Sequence, residues 1–212
     1  MLRGLYAVTP ECSDTPNLLR AVGAALAGGA SLVQYRSKCV DAELRLEQTI
    51  ALRTLCRQHC VPLIVNDSLE IAIRGGADGV HVGRDDVRPA VARHALGPGK
   101  IVGVSCYDRL ELAQEAQAAG ADYVAFGSFF PSSIKPRAPR PPVDLITRAR
   151  RALHLPIVAI GGITRENAGQ LIDAGAQMIA VIHGIFAAAD VECAARDLKA
   201  LFEKEASIHE ES

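Results

Sequence analysis

Eight short apolar runs, each closed by a polar or glycine-bearing turn and followed by a helical pattern, organise this chain from end to end. They are Leu5–Thr9, Leu32–Arg36, Leu63–Asp67, Gly79–Gly83, Ile101–Ser105, Tyr123–Ser128, Ile157–Gly162 and Met178–Gly184. Strand-like runs alternating with helical segments read as βαβ units on a parallel sheet. Eight of them predict a single-domain α/β fold, the (β/α)8 TIM barrel, near the short end of that fold's range. Such barrels work at the C-terminal ends of their strands, which narrows the search for functional residues to eight short turns.

The 212 residues contain no low-complexity stretch or Gly/Ser-rich hinge, so one domain is expected over 1–206, followed by a frayed acidic tail over 207–212. With 49% apolar residues and no tryptophan, the interior must be built from Val, Ile, Leu and Ala, as suits parallel strands covered by helices. A net charge of −1 argues against nucleic acid as a partner but permits a local basic pocket for a phosphorylated small molecule. The N-terminus enters the first strand without a long apolar segment, and nothing approaches a transmembrane span. A cytoplasmic protein with small-molecule substrates and no membrane partner is expected, and a homo-oligomer is left open. Six cysteines lack the spacing of a disulfide framework, and Cys56, His59 and Cys60 lack the second ligand pair of a zinc site.

Gly29-Ala30, Gly76-Ala77, Gly120-Ala121 and Gly175-Ala176 each close a helical pattern before a strand and read as structural turns at the barrel bottom. Helices are expected over 41–59, 108–119, 164–174 and 185–205. The third starts at Thr164 with Asn167 three residues on, without the Glu or Gln of a full capping box.

The second run ends in Gln34-Tyr35-Arg36-Ser37-Lys38, where alternation puts Gln34, Arg36 and Lys38 on one face. Two cations and an amide suit a multiply charged anion, although an Arg/Lys pair satisfying helix carboxylates would look the same. The third run ends in Asn66-Asp67, and Asp85 and Asp86 follow the fourth. Carboxylates at adjacent strand ends can hold Mg²⁺ against phosphate oxygens. Asp67 can equally cap the helix starting near Ser68, and spacing does not choose between Asp85 and Asp86.

Ser105 ends the fifth run. The segment Phe129–Pro142 carries Lys135, Arg137 and Arg140 and reads either as a lid over the mouth or as a solvated basic loop. Gly161-Gly162 and His183-Gly184 end the last two runs, where barrels bind phosphate through backbone N–H groups. Two anion sites therefore face each other across one mouth, one cationic and metal-assisted, the other built of backbone.

At these residues the chain resembles the thiamine-phosphate synthase family, from LYAVTP to VIHGIF. QYRSK, VNDSLEIAIRGGADGVHVGRDD and VAIGGIT carry the likeness. The resemblance implies a transferase that joins a hydroxymethylpyrimidine pyrophosphate to a thiazole phosphate, releasing pyrophosphate. By position, Gln34, Arg36, Lys38 and Asn66 would hold the pyrimidine pyrophosphate, and Asp67 and Asp86 would bind Mg²⁺. Ser105 and Lys135 would contact the pyrimidine or its leaving group, while Ser132, Gly162, Ile182 and His183 would surround the thiazole phosphate. Arg36, Lys38, Lys135 and Ser105 would then carry the catalysis, a dissociative substitution without a general base.

Two positions depart from the family. Its lid commonly reads Pro-Thr-x-Thr-Lys, whereas this chain has Pro131-Ser132-Ser133-Ile134-Lys135. Ile134 donates no hydrogen bond, a loss worth about 1 kcal/mol. His183 stands where serine is frequent. Rival readings are a thiazole tautomerase, which has no use for the metal-assisted half, and a catalytically silent barrel that binds phospho-ligands.

Overall fold

The computed structural model describes residues 2–131 and 140–210. Eight parallel strands close into a barrel in chain order: β1 (Gly4–Val8), β2 (Leu32–Tyr35), β3 (Leu63–Asn66), β4 (Gly79–Val82), β5 (Ile101–Tyr107), β6 (Tyr123–Phe126), β7 (Ile157–Ile160) and β8 (Met178–Val181). Every predicted run contains a strand. Most strands stop one to three residues before the predicted end, leaving the polar residues to the loops; β5 instead runs two residues past Ser105.

The helices are α1 (Thr15–Ala27), α2 (Ala42–Gln58), α3 (Leu69–Arg74), α4 (Pro89–Leu96), α5 (Leu110–Ala118), α6 (Asp144–Ala152), α7 (Arg165–Asp173), α8 (His183–Phe186) and α9 (Val191–Glu210). Side-chain oxygens start several of them: Asp14 accepts from Asn17 N and Asp41 from Glu43 N and Leu44 N. The return half of a capping box does exist on α7, because the shorter Asn167 accepts from Thr164 N at 2.8 Å. The expected final helix over 185–205 is two helices. Asp190 accepts from Cys193 N at 2.9 Å and starts α9 afresh.

Two layers of apolar packing hold the barrel. Side chains such as Leu32, Ile64, Val158 and Met178 fill its interior, and the opposite faces of the strands pack on the helices. Interior size is matched by glycine: a Cβ on Gly103 would lie 2.0 Å from Cζ of Tyr123, so the bare backbone of β5 makes room for a phenol ring from β6. The four Gly-Ala turns sit before strands as expected, with φ of +96°, +64°, +84° and +106° at their glycines. No described helix is long and apolar enough to cross a membrane.

Candidate active site

The barrel brings the predicted strand-end residues to one rim. Beyond Tyr35 the strand ends and simple alternation no longer governs direction. Gln34 is buried, Arg36 half-buried and Lys38 exposed, so the three do not share one environment. Among the described residues neither Arg36 nor Lys38 forms an ion pair, so the reading in which helix carboxylates satisfy them has no support. Asn66 is the last residue of β3 and is half-buried.

Asp67 follows at φ +63°, a left-handed conformation uncommon outside glycine. Ser68, not Asp67, caps α3, accepting from Ile71 N at 3.3 Å, so Asp67 is not needed as a cap. Asp86 turns back over its own loop, its Oδ2 accepting from Gly83 N at 2.7 Å. Tyr107 braces that loop: its hydroxyl accepts from Arg84 N at 3.2 Å, its ring lies 5.0 Å from the Arg84 guanidinium, and its carbonyl accepts from Gly127 N at 2.8 Å. Asp67 and Asp86 are hard oxygen donors on neighbouring strand ends, a set that fits Mg²⁺ completed by water and substrate oxygens. No cluster of three or more metal-ligating side chains occurs among the described residues, so any ion here must draw ligands from substrate or water.

Below the rim runs a buried polar chain. Nε2 of Gln34 donates to the Tyr6 hydroxyl at 2.8 Å, which lies 2.7 Å from the Tyr123 hydroxyl. That group lies 3.0 Å from Nδ1 of His81, whose Nε2 lies 2.8 Å from Oγ of Ser105. With the Gln34 amide nitrogen facing Tyr6 and the proton of a neutral His81 on Nε2, the chain runs in one direction. The amide nitrogen only donates, so each phenol passes its own proton onward; Nδ1 of a neutral His81 accepts, and its Nε2–H donates to Ser105. The Ser105 hydroxyl proton is left for an acceptor in the mouth. Burial pushes both phenols above their ordinary range, so Tyr6 and Tyr123 hold their protons and act as fixed dipoles.

Across the mouth, Gly162, Ile182 and His183 line one cleft with Gly161, Thr164 and Gly184. Gly162 has φ +62°, and a Cβ there would lie 2.3 Å from the Pro131 carbonyl oxygen. Nδ2 of Asn167 donates to the Gly162 carbonyl at 3.0 Å, tying the turn to the start of α7. Ser132, Ile134 and Lys135 lie outside the described residues.

A model of the family described as thiamine monophosphate synthase matches residues 5–185. The chain belongs to the thiamine monophosphate synthase family. The thiamine-phosphate synthase of Thiobacillus denitrificans is 56% identical over 202 residues, covering 95% of this chain and 96% of its own. That of Aromatoleum aromaticum is 52% identical, covering 95% and 97%. A solved thiamine phosphate pyrophosphorylase from Pyrococcus furiosus superposes with a TM-score of 0.84 at 33% identity, over 95% of this chain and 96% of that one. A 3-hexulose-6-phosphate synthase at 20% identity and a TM-score of 0.70 shares the fold alone.

Within this family member, sequence reasoning had overlooked Tyr6, His81, Tyr123 and Tyr107. The first three occupy inward positions of their strands among apolar neighbours. A polar residue breaking that alternation is the signal that could have found them. Tyr107 leaves no such trace, because its role depends on a loop from another strand. Buried Cys56 and Cys106, both pushed up to about 12 by burial, are inert packing thiols rather than ligands or nucleophiles.

Proposed function

We propose that the protein is a thiamine-phosphate synthase that joins 4-amino-2-methyl-5-hydroxymethylpyrimidine pyrophosphate to 4-methyl-5-(2-phosphoethyl)thiazole. The products are thiamine monophosphate and pyrophosphate. The observation that carries this reading is the pairing of a cationic, carboxylate-bearing rim at β2–β4 with a backbone-lined cleft at β7 and β8. One half suits a pyrophosphate and the other a phosphate monoester.

Asp67 and Asp86 are the residues to hold Mg²⁺, which when bound supplies Lewis-acid neutralisation of pyrophosphate oxygens. Arg36 and Lys38, unpaired among the described residues, add fixed positive charge where negative charge grows on the leaving group. Gln34 and Asn66 orient that substrate, and Lys135 adds a further cation. As the C–O bond to pyrophosphate breaks, the amino-substituted pyrimidine spreads the positive charge left on its methylene carbon. Ser105, with its free proton, donates to an acceptor on the pyrimidine. Ser132 and the backbone around Gly162, Ile182 and His183 hold the thiazole phosphate. The neutral thiazole nitrogen then forms the new C–N bond, and no base is needed because that nitrogen carries no proton. A tautomerase would leave the cationic half idle. The setting of this reaction is the cytoplasm.

The test is to incubate the protein with both substrates and Mg²⁺ and to measure thiamine monophosphate, with EDTA as control. Metal-dependent product is expected. Folded protein that yields none, while isomerising thiazole phosphates or only binding them, refutes the synthase reading.

A further inference from the structure

The β1–β2 ladder does not stop where the backbone stops pairing. Its last backbone bond runs from Thr9 N to Gln34 O at 2.9 Å. Side chains from β1 and its loop continue the pairing. Thr9 Oγ1 accepts from Arg36 N at 2.9 Å and donates to Arg36 O at 3.3 Å. Two residues on, the Glu11 carboxylate grips the next alternate position: Lys38 N donates to Oε1 and Oε2 at 3.0 and 2.8 Å. Ser37 Oγ also donates to Oε1 at 2.9 Å and in turn accepts from Cys39 N at 3.1 Å.

We infer that Glu11 is a positioning residue, a carboxylate clamp that fixes the backbone from which Lys38 reaches the pyrophosphate of the pyrimidine substrate. The inference rests on the synthase reading of this rim. Its physical basis is a conflict of sign. A carboxylate beside a site for a polyanion repels the ligand, so proximity alone makes Glu11 a liability. The structure directs both of its oxygens to the main chain and hydroxyl of the cation-bearing loop, where charge-assisted hydrogen bonds are strongest. An exposed loop with a floppy lysine would lose more entropy on meeting its ligand, and a pre-set loop avoids that loss.

The two possibilities predict opposite signs. If Glu11 were only a nearby charge, Glu11→Ala would tighten anion binding. As a clamp, its loss weakens inorganic pyrophosphate, measured by calorimetry with Mg²⁺, about tenfold. It raises KM for the pyrimidine pyrophosphate similarly and leaves KM for thiazole phosphate within about twofold. Glu11→Gln, which keeps one acceptor oxygen without the charge, falls between wild type and Glu11→Ala. Ser37→Ala, which removes one of the gripped donors, gives a smaller effect of the same sign and decides the matter if Glu11→Ala does not fold. Unchanged or tighter pyrophosphate binding overturns the inference, as does an equal rise in both KM values. A wild-type protein that binds pyrophosphate but makes no thiamine phosphate refutes the synthase reading alone, and the binding series still decides the role of Glu11.

Discussion

Removing one buried oxygen, by Tyr123→Phe, tests the reading of the interior chain. The ring itself is kept, with its edge-on contact to Tyr6 at 5.8 Å and its stack on His81 at 5.6 Å, so packing changes little. Two bonds disappear, and the Tyr6 proton and His81 Nδ1 lose their partner. Each buried polar group left unsatisfied costs about 1–3 kcal/mol, so a loss of about 2–6 kcal/mol is expected for the two. For a chain of this size that lowers Tm by about 4–24 °C. A second effect follows from direction. Without a donor at Nδ1 the His81 tautomer is no longer specified, and Ser105 can spend its proton on Nε2 rather than on substrate. The value of kcat/KM with the pyrimidine substrate should fall by about tenfold or more, reflecting one lost hydrogen bond in the transition state. Thermal unfolding and steady-state kinetics on the same preparation check both. A variant with wild-type Tm and wild-type kcat/KM would refute the one-directional chain.

Gly162→Ala adds a Cβ at φ +62° that meets the Pro131 carbonyl oxygen, so KM for thiazole phosphate should rise about tenfold or more while KM for the pyrimidine substrate stays put. Asp86→Asn keeps an acceptor for Gly83 N but removes the charge; it should raise the Mg²⁺ concentration needed for half-maximal activity about tenfold with Tm unchanged, and Mn²⁺ binding followed by electron paramagnetic resonance should weaken in parallel. Alkaline pH should destabilise the fold. Cys56 and Cys106 are pushed from 9 up to about 12, so between those values the native state holds protons that the unfolded state releases, and stability falls as pH rises. The urea midpoint, constant below about pH 8, should drop above it, and less so in Cys56→Ala with Cys106→Ala.

The barrel was legible in the sequence because its signals are local. Apolar runs and αβ-turn glycines act within a few residues, and eight repetitions of one unit leave little choice of architecture. The placement of Gln34, Arg36, Lys38, Asp67, Asp86 and the Gly161-Gly162 turn at the strand ends was legible for the same reason, since they sit in short motifs at fixed offsets from their strands. Even there the sequence left choices open. Whether Asp67 caps α3 was settled only by Ser68 taking that role, and the structure alone shows that Arg36 and Lys38 form no ion pair among the described residues.

Sequence alone thus determined the eight strands, their order and the rim at which the charged groups collect, though not the break between α8 and α9, since periodicity and turn chemistry are written between near neighbours. Tertiary structure alone decided that Tyr6, Gln34, His81, Ser105 and Tyr123, drawn from five strands, meet in one polar chain. It likewise decided that Gly103 clears space for the Tyr123 ring and that Glu11 grips Lys38. Those contacts join residues up to 117 positions apart, and hydrogen bonds over such separations depend on barrel closure and register, which no local pattern encodes.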